Sequence, residues 1–82
     1  MAEFCGNYKE LDKVKTGANI RRLRNERNMS VTELADIFFD MATEQAIYRW
    51  ERGEASPKAE NLFLLSQVFD VCIEEILVGK AA

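Results

Sequence analysis

Thr43-Glu44-Gln45-Ala46-Ile47-Tyr48-Arg49-Trp50-Glu51-Arg52-Gly53 leaves this chain little freedom in how it folds. Wound at about 100° per residue, Thr43, Ala46, Ile47 and Trp50 gather on one side. Glu44, Gln45, Tyr48 and Arg49 gather on the other. Thr43 is a natural N-cap and Gly53 a natural stop, so the stretch predicts a short helix ending near Glu51. Its greasy face suits packing on other helices. Its opposite face holds hydrogen-bonding side chains able to probe a nucleic-acid groove.

The rest of the chain is written in the same units. Thr16 predicts the N-cap of a first helix running to about Asn28, with Ile20, Leu23 and the stem of Arg27 inward. Asn28 tolerates the left-handed conformation that closes a helix. Ser30-Val31-Thr32-Glu33 is a capping box, and the second helix after it turns Leu34, Ile37 and Phe38 inward, with Ala35 permitting close approach. Phe39-Asp40-Met41-Ala42 is a turn without Gly. Ser56 and Pro57 predict the cap and first residue of a fourth helix reaching Phe69. There Leu62, Leu65 and Phe69 form one stripe, Leu64 and Val68 a second, and Phe63 lies between. Cys72 opens a short fifth helix with Ile73, Ile76 and Leu77 inward. Tyr8, Leu11 and Val14, spaced by three, form a turn that packs on the body. The reading is an all-α domain of five short helices over residues 16–78, with a partly ordered lead-in at 1–15 and a tail at 79–82.

Eighty-two residues hold one domain and a modest core, and 48% apolar composition suffices to fold it. No apolar run nears the roughly 18 residues that cross a bilayer. The first six residues lack the features of a signal peptide, so the expected location is the cytoplasm. Cys5 and Cys72 fit no metal spacing; there they stay reduced, a disulfide being the alternative. There is no His, and no Ser or Cys has an activating base beside it. Glu74 and Glu75 sit in a helix's first turn, where they complement its dipole. An enzyme is therefore not expected, nor a metal, a cofactor or a small-molecule ligand.

Net charge −3 and pI near 4.9 argue against a nucleic-acid binder, but the charge is polarised. Lys13, Lys15, Arg21, Arg22, Arg24 and Arg27 against Glu26 give +5 over 13–27. Glu33, Asp36, Asp40, Glu44 and Glu51 against Arg49 give −4 over 33–51. A solvated helix surface explains the basic run as well as a nucleic-acid contact does.

Two helices joined by a short turn, the second with a polar outer face, make a helix-turn-helix, whose second helix can lie in the DNA major groove. With that arrangement the chain resembles the lambda-repressor-like (Xre) family. The resemblance is carried by Arg21-Arg22-Leu23-Arg24, Met29-Ser30, Glu33-Leu34-Ala35, Ile47 to Gly53, Pro57, Asn61-Leu62 and Asp70 to Leu77. It implies a five-helix bundle acting as a sequence-specific regulator on double-stranded DNA, as a homodimer on two half-sites. It also implies base reading by Glu44, Gln45, Tyr48 and Arg49, and phosphate contacts from Thr43, Arg52 and Lys58. An ion pair of Arg24 with Glu51 would tie helix 1 to the end of helix 3. Gln45 suits adenine and Arg49 guanine. Tyr48 suits a thymine methyl, a phosphate or its own helix surface, and Glu44 either a cytosine or the helix dipole.

Three departures stand out. From Ser30 to Trp50 the chain is two residues longer than the common family spacing, so it must bulge near Asp40-Met41. Val31 stands where the family often has a Gln that touches DNA. Leu64 replaces a frequent Lys, and with Val68 it makes an apolar patch. Leu64, Val68 and Ile76 are the candidate dimer surface. Acidity, the longer turn and the broad apolar fourth helix also fit a second reading, a protein-interaction module of antitoxin or anti-repressor type on the same fold.

Overall fold

The computed structural model describes residues 11–80. Along them run α1 (Lys13–Glu26), α2 (Val31–Phe38), a turn of 3-10 helix (Phe39–Met41), α3 (Glu44–Arg52), α4 (Ala59–Phe69) and α5 (Ile73–Ile76). The domain is all-α. Among the described residues, the sole β feature is an isolated bridge between Leu11 and Gly79.

Local signals set most helix starts. The Ser30 hydroxyl accepts from the Glu33 N–H at 3.0 Å while the Glu33 carboxylate accepts from the Ser30 N–H at 2.8 Å. Thr43 Oγ1 accepts from the Ala46 N–H at 3.1 Å. Ser30→Ala should cost about 1 kcal/mol and lower the melting temperature by roughly 4–8 °C, read by circular dichroism.

The ends of α1, α3 and α4 share one device. Asn28 (φ 54), Gly53 (φ 80) and Asp70 (φ 55) each turn left-handed. The next residue's N–H then bonds back to a carbonyl five residues earlier: Met29 to Arg24, Glu54 to Arg49, Val71 to Ser66. This Schellman closure satisfies carbonyls that the helix leaves open.

Two starts differ from the sequence prediction. α1 begins at Lys13, capped by Asp12, whose carboxylate accepts from the Lys15 N–H at 3.0 Å. Thr16 is buried instead, and its hydroxyl accepts from the Val78 N–H at 3.0 Å. A tertiary bond thus claims the oxygen that the sequence assigned to a cap. The folded body extends beyond 16–78 accordingly, with Asp12 donating to the Val78 carbonyl at 2.7 Å. α4 begins at Ala59 after Lys58, and neither Ser56 nor Pro57 caps it; Pro57 is buried in the loop.

The core comprises Ile20 and Leu23 of α1; Val31, Leu34 and Phe38 of α2; Ala42; Ile47 and Trp50 of α3; Leu62, Leu65 and Phe69 of α4; and Ile76 of α5. Each large side chain buried here contributes roughly 1.5–3 kcal/mol. Phe38 and Trp50 meet edge to face, centroids 5.7 Å apart at 60°, which fixes α2 on α3. Val31 is therefore a core residue, where the family resemblance marked a lost polar contact.

Four sequence assignments are corrected. Ile37, expected inward, is 45% exposed, because the eight-residue α2 turns only Val31, Leu34 and Phe38 to the body. Val14 is 65% exposed rather than packed. Arg27 is exposed, and its guanidinium donates to the Phe69 carbonyl, joining the ends of α1 and α4. Ile76 is fully buried and cannot belong to a dimer surface; Leu64 and Val68 are half-buried against their own core. Tyr8, Cys5 and the rest of residues 1–10 lie outside the described residues.

The longer turn is absorbed by the 3-10 residues. Phe38 (1% exposed) and Ala42 (7%) anchor it at either side, and Phe39 takes φ 57 with its ring 80% exposed. Positive φ is costly for a bulky residue, and here it closes α2 without a Gly. α3 starts at its Thr43 cap despite the two extra residues.

Candidate nucleic-acid interface

Ile47 (0% exposed) and Trp50 (5%) lie inward on α3, and Ala46 is half-buried beside them. Glu44, Gln45, Tyr48 and Arg49 are exposed together on the opposite face. Glu44 falls in the first turn of α3, and Arg49 and Arg52 in the last. All three therefore complement the helix dipole as well as facing outward.

What fixes the attitude of this face is the other end of α3. Gly17 of α1 lies against it so closely that an added Cβ would stand 2.1 Å from the Trp50 carbonyl oxygen and 2.8 Å from that of Glu51. Beside it, Arg24 Nε and Nη2 donate to the two oxygens of Glu51 at 2.7 and 3.1 Å, and Nη1 donates to the Met29 carbonyl at 2.8 Å. The pair is largely buried, with side-chain exposures of 12% and 6%. The hydrogen bond to Glu51 pushes the Arg24 pKa up against the opposing effect of burial. One guanidinium thus joins α1, the loop after it and α3. Its three donations satisfy the geometry that a buried ion pair needs if it is to offset desolvation.

Gly53 closes the helix at φ 80, where a Cβ would also meet Val14 at 2.9 Å. The chain then delivers Glu54 beside Arg52, whose Nε and Nη2 donate to its carboxylate at 2.8 and 3.3 Å. Arg49 Nε lies 3.9 Å from the same carboxylate. The Arg52–Glu54 hydrogen bond raises the Arg52 pKa and holds the Glu54 carboxyl below the usual carboxylate range. Lys58 is exposed, and its carbonyl takes the first backbone bond of α4, from Leu62 at 2.8 Å. Arg21, Arg24, Tyr48, Glu51 and Arg52 line a cleft of about 210 Å³ between α1 and α3. In it Arg21 stands exposed, with no ion pair among the described residues.

The surface therefore brings together Glu44, Gln45, Tyr48 and Arg49 on one helix face, with Thr43 at its start and Arg52 at its end. Thr43 spends its hydroxyl as an acceptor toward Ala46, leaving its own O–H free to donate. Sequence reasoning missed Gly17 and Glu54. A Gly inside a helix costs about 1 kcal/mol against Ala and so signals close approach; that clue was present at Gly17. Glu54 gives no such clue, because its partners are set by the way the helix closes. Among the described residues no group of His, Cys, Asp and Glu could hold a metal ion, and no helix is long and apolar enough to cross a membrane.

Comparison with known proteins places this geometry. A family model described as Helix-turn-helix matches residues 40–76. The HTH-type transcriptional activator BcrR of Enterococcus faecalis is 34% identical over 61 residues, covering 74% of this chain. The chain spans 29% of that relative's length and 22% of a second curated relative's. Among solved structures, the restriction-modification controller protein C.AhdI from Aeromonas hydrophila matches with TM-score 0.69 at 28% identity, over 79% of this chain and 96% of that one. The DNA-binding domain of BldD matches with TM-score 0.69 at 20% identity, over 80% of this chain and 93% of that one, a likeness of fold.

Proposed function

We propose that this chain is a lambda-repressor-like helix-turn-helix domain and the DNA-reading part of a transcriptional regulator. α3 enters the major groove of double-stranded DNA and reads sequence there. The observation that carries this is the contrast between the two faces of α3. Its inner face is clamped by Ile47, Trp50, Gly17 and the Arg24–Glu51 pair, while Gln45, Tyr48 and Arg49 stand exposed together. A rigid mount with a polar, solvated face suits reading by contact. Gln45 and Arg49 read bases, Glu44 and Tyr48 border them, and Thr43, Arg52 and Lys58 hold phosphates.

One module of this size buries too little surface to hold an operator tightly, so a homodimer on two half-sites is part of the reading. Leu64 and Val68 contribute the exposed part of their side chains to that contact, with Phe63, 57% exposed on the same helix. The regulator works without a cofactor and in the cytoplasm.

Titration of fluorescent duplexes tests the proposal at two salt concentrations. A duplex selected from random sequences should bind far more tightly than a shuffled one. Gln45→Ala and Arg49→Ala should each remove about 1–3 kcal/mol of that discrimination while leaving the unfolding curve in place, since both side chains are exposed. Equal binding of all duplexes, or none, would defeat the proposal. A protein-interaction module is the second reading, favoured by the exposed rings of Phe39 and Phe63. It would gain if a stoichiometric protein partner bound and no duplex did.

A further inference from the structure

We propose that Glu54 is a built-in competitor for DNA phosphate, holding Arg52 and drawing in Arg49 until a DNA strand displaces it. The inference rests on the DNA-binding reading above and adds what limits the grip of that site on DNA.

Glu54 is placed by the backbone. Gly53 turns left-handed, and the Glu54 N–H then donates to the Arg49 carbonyl at 2.9 Å. The helix end that carries both arginines thus also fixes their acid. Its carboxylate takes Arg52 through two parallel bonds, at 2.8 and 3.3 Å. This is the fork-to-fork arrangement by which a guanidinium takes a phosphate. Arg49 Nε lies 3.9 Å away, so one carboxylate serves two cations. All three side chains are more than half exposed, at 58% for Arg49, 57% for Arg52 and 51% for Glu54. Such a surface pair contributes little to the fold, and it leaves both arginines open to an approaching strand.

The bonds to Glu54 belong to the free protein and are the same whichever duplex arrives. Arg52 must exchange carboxylate for phosphate, and Arg49 must leave Glu54 to take a base edge or a phosphate. Removing the carboxylate therefore raises the affinity for matching and non-matching sequences by a similar factor.

Fluorescence anisotropy of wild type and Glu54→Gln, on the selected and the shuffled duplex across a salt series, tests this. Glu54→Gln should tighten the shuffled and the selected duplex alike, each by about threefold to tenfold. The salt dependence on the shuffled duplex should steepen by about one or two phosphate contacts. Glu54→Lys should move both affinities further in the same direction, and circular dichroism should show both variants folded. The gain should vanish when Arg49→Ala and Arg52→Ala are also present. Unchanged or weaker binding of the shuffled duplex by Glu54→Gln overturns the proposal, as does a gain that survives loss of both arginines. If wild type discriminates between the duplexes and Glu54→Gln changes nothing, only this inference falls. If wild type binds neither duplex, the DNA-binding reading falls and takes this one with it.

Discussion

Gly17→Ala should destabilise the domain by about 3 kcal/mol or more, although Gly→Ala in a helix interior ordinarily stabilises by roughly 0.5–1 kcal/mol. The reversal of sign follows from what the new methyl would meet. Its carbon would stand 2.1 Å from the Trp50 carbonyl oxygen and 2.8 Å from the Glu51 one. Neither is the tip of a flexible side chain. Both are backbone, held by the last turn of α3, so relief requires α1 and α3 to move apart as bodies. That movement would loosen Trp50 from Phe38 and stretch the Arg24–Glu51 bonds. A small domain has about 5 kcal/mol in hand at the low end of the usual range. A melting temperature lower by roughly 15 °C or more is expected, measured by thermal unfolding. Ala18→Gly, at the exposed neighbouring position, is the control and should cost only about 1 kcal/mol. A Gly17→Ala protein as stable as wild type would mean that the two helices do not approach this closely.

Glu51→Ala should cost about 3 kcal/mol, because it leaves the Arg24 guanidinium largely buried with only the Met29 carbonyl to accept from it. Removing both partners should cost less than the single-variant losses combined. Arg24→Met with Glu51→Leu would replace two desolvated charges by apolar bulk, and buried pairs so replaced are often close to neutral. Urea unfolding of the two single variants and the double variant yields the coupling between the sites. Strict additivity would show that the pair is not a unit. A second readout separates position from stability. If the folded fraction of Glu51→Ala binds a selected duplex less well than wild type, the pair also sets the angle of α3.

The elements written within four residues of one another were legible in the sequence. Ser30 with Glu33, Thr43 with its helix, Asn28 and Gly53 as left-handed closures, and the division of α3 into Ile47 and Trp50 against Gln45 and Arg49 all depend on local geometry. What was not legible depends on distant partners. Asp12 and Thr16 are both good caps chemically. The choice between them is made by Val78, more than sixty residues away, whose N–H takes the Thr16 hydroxyl. Ser56-Pro57 reads as a helix start, yet the loop buries Pro57 and leaves the start to Lys58. Leu64 and Val68 looked like spare apolar surface because α4 is greasy over most of its girth. The bundle uses part of each, and all of Ile76. In the candidate site, helical winding alone brings the four outward side chains of α3 together. Gly17 and Glu54 escaped notice because one acts by having no side chain and the other through a backbone turn.

The bridge between Leu11 and Gly79 has a mechanical meaning. It is antiparallel, and Asp12 bonds to Val78 immediately inside it. The chain therefore enters and leaves the bundle through one corner. A pull on the two ends would load the bridge as a zipper, opening one bond at a time. The first interior contact to feel that load is the Thr16–Val78 bond, at the residue next to Gly17.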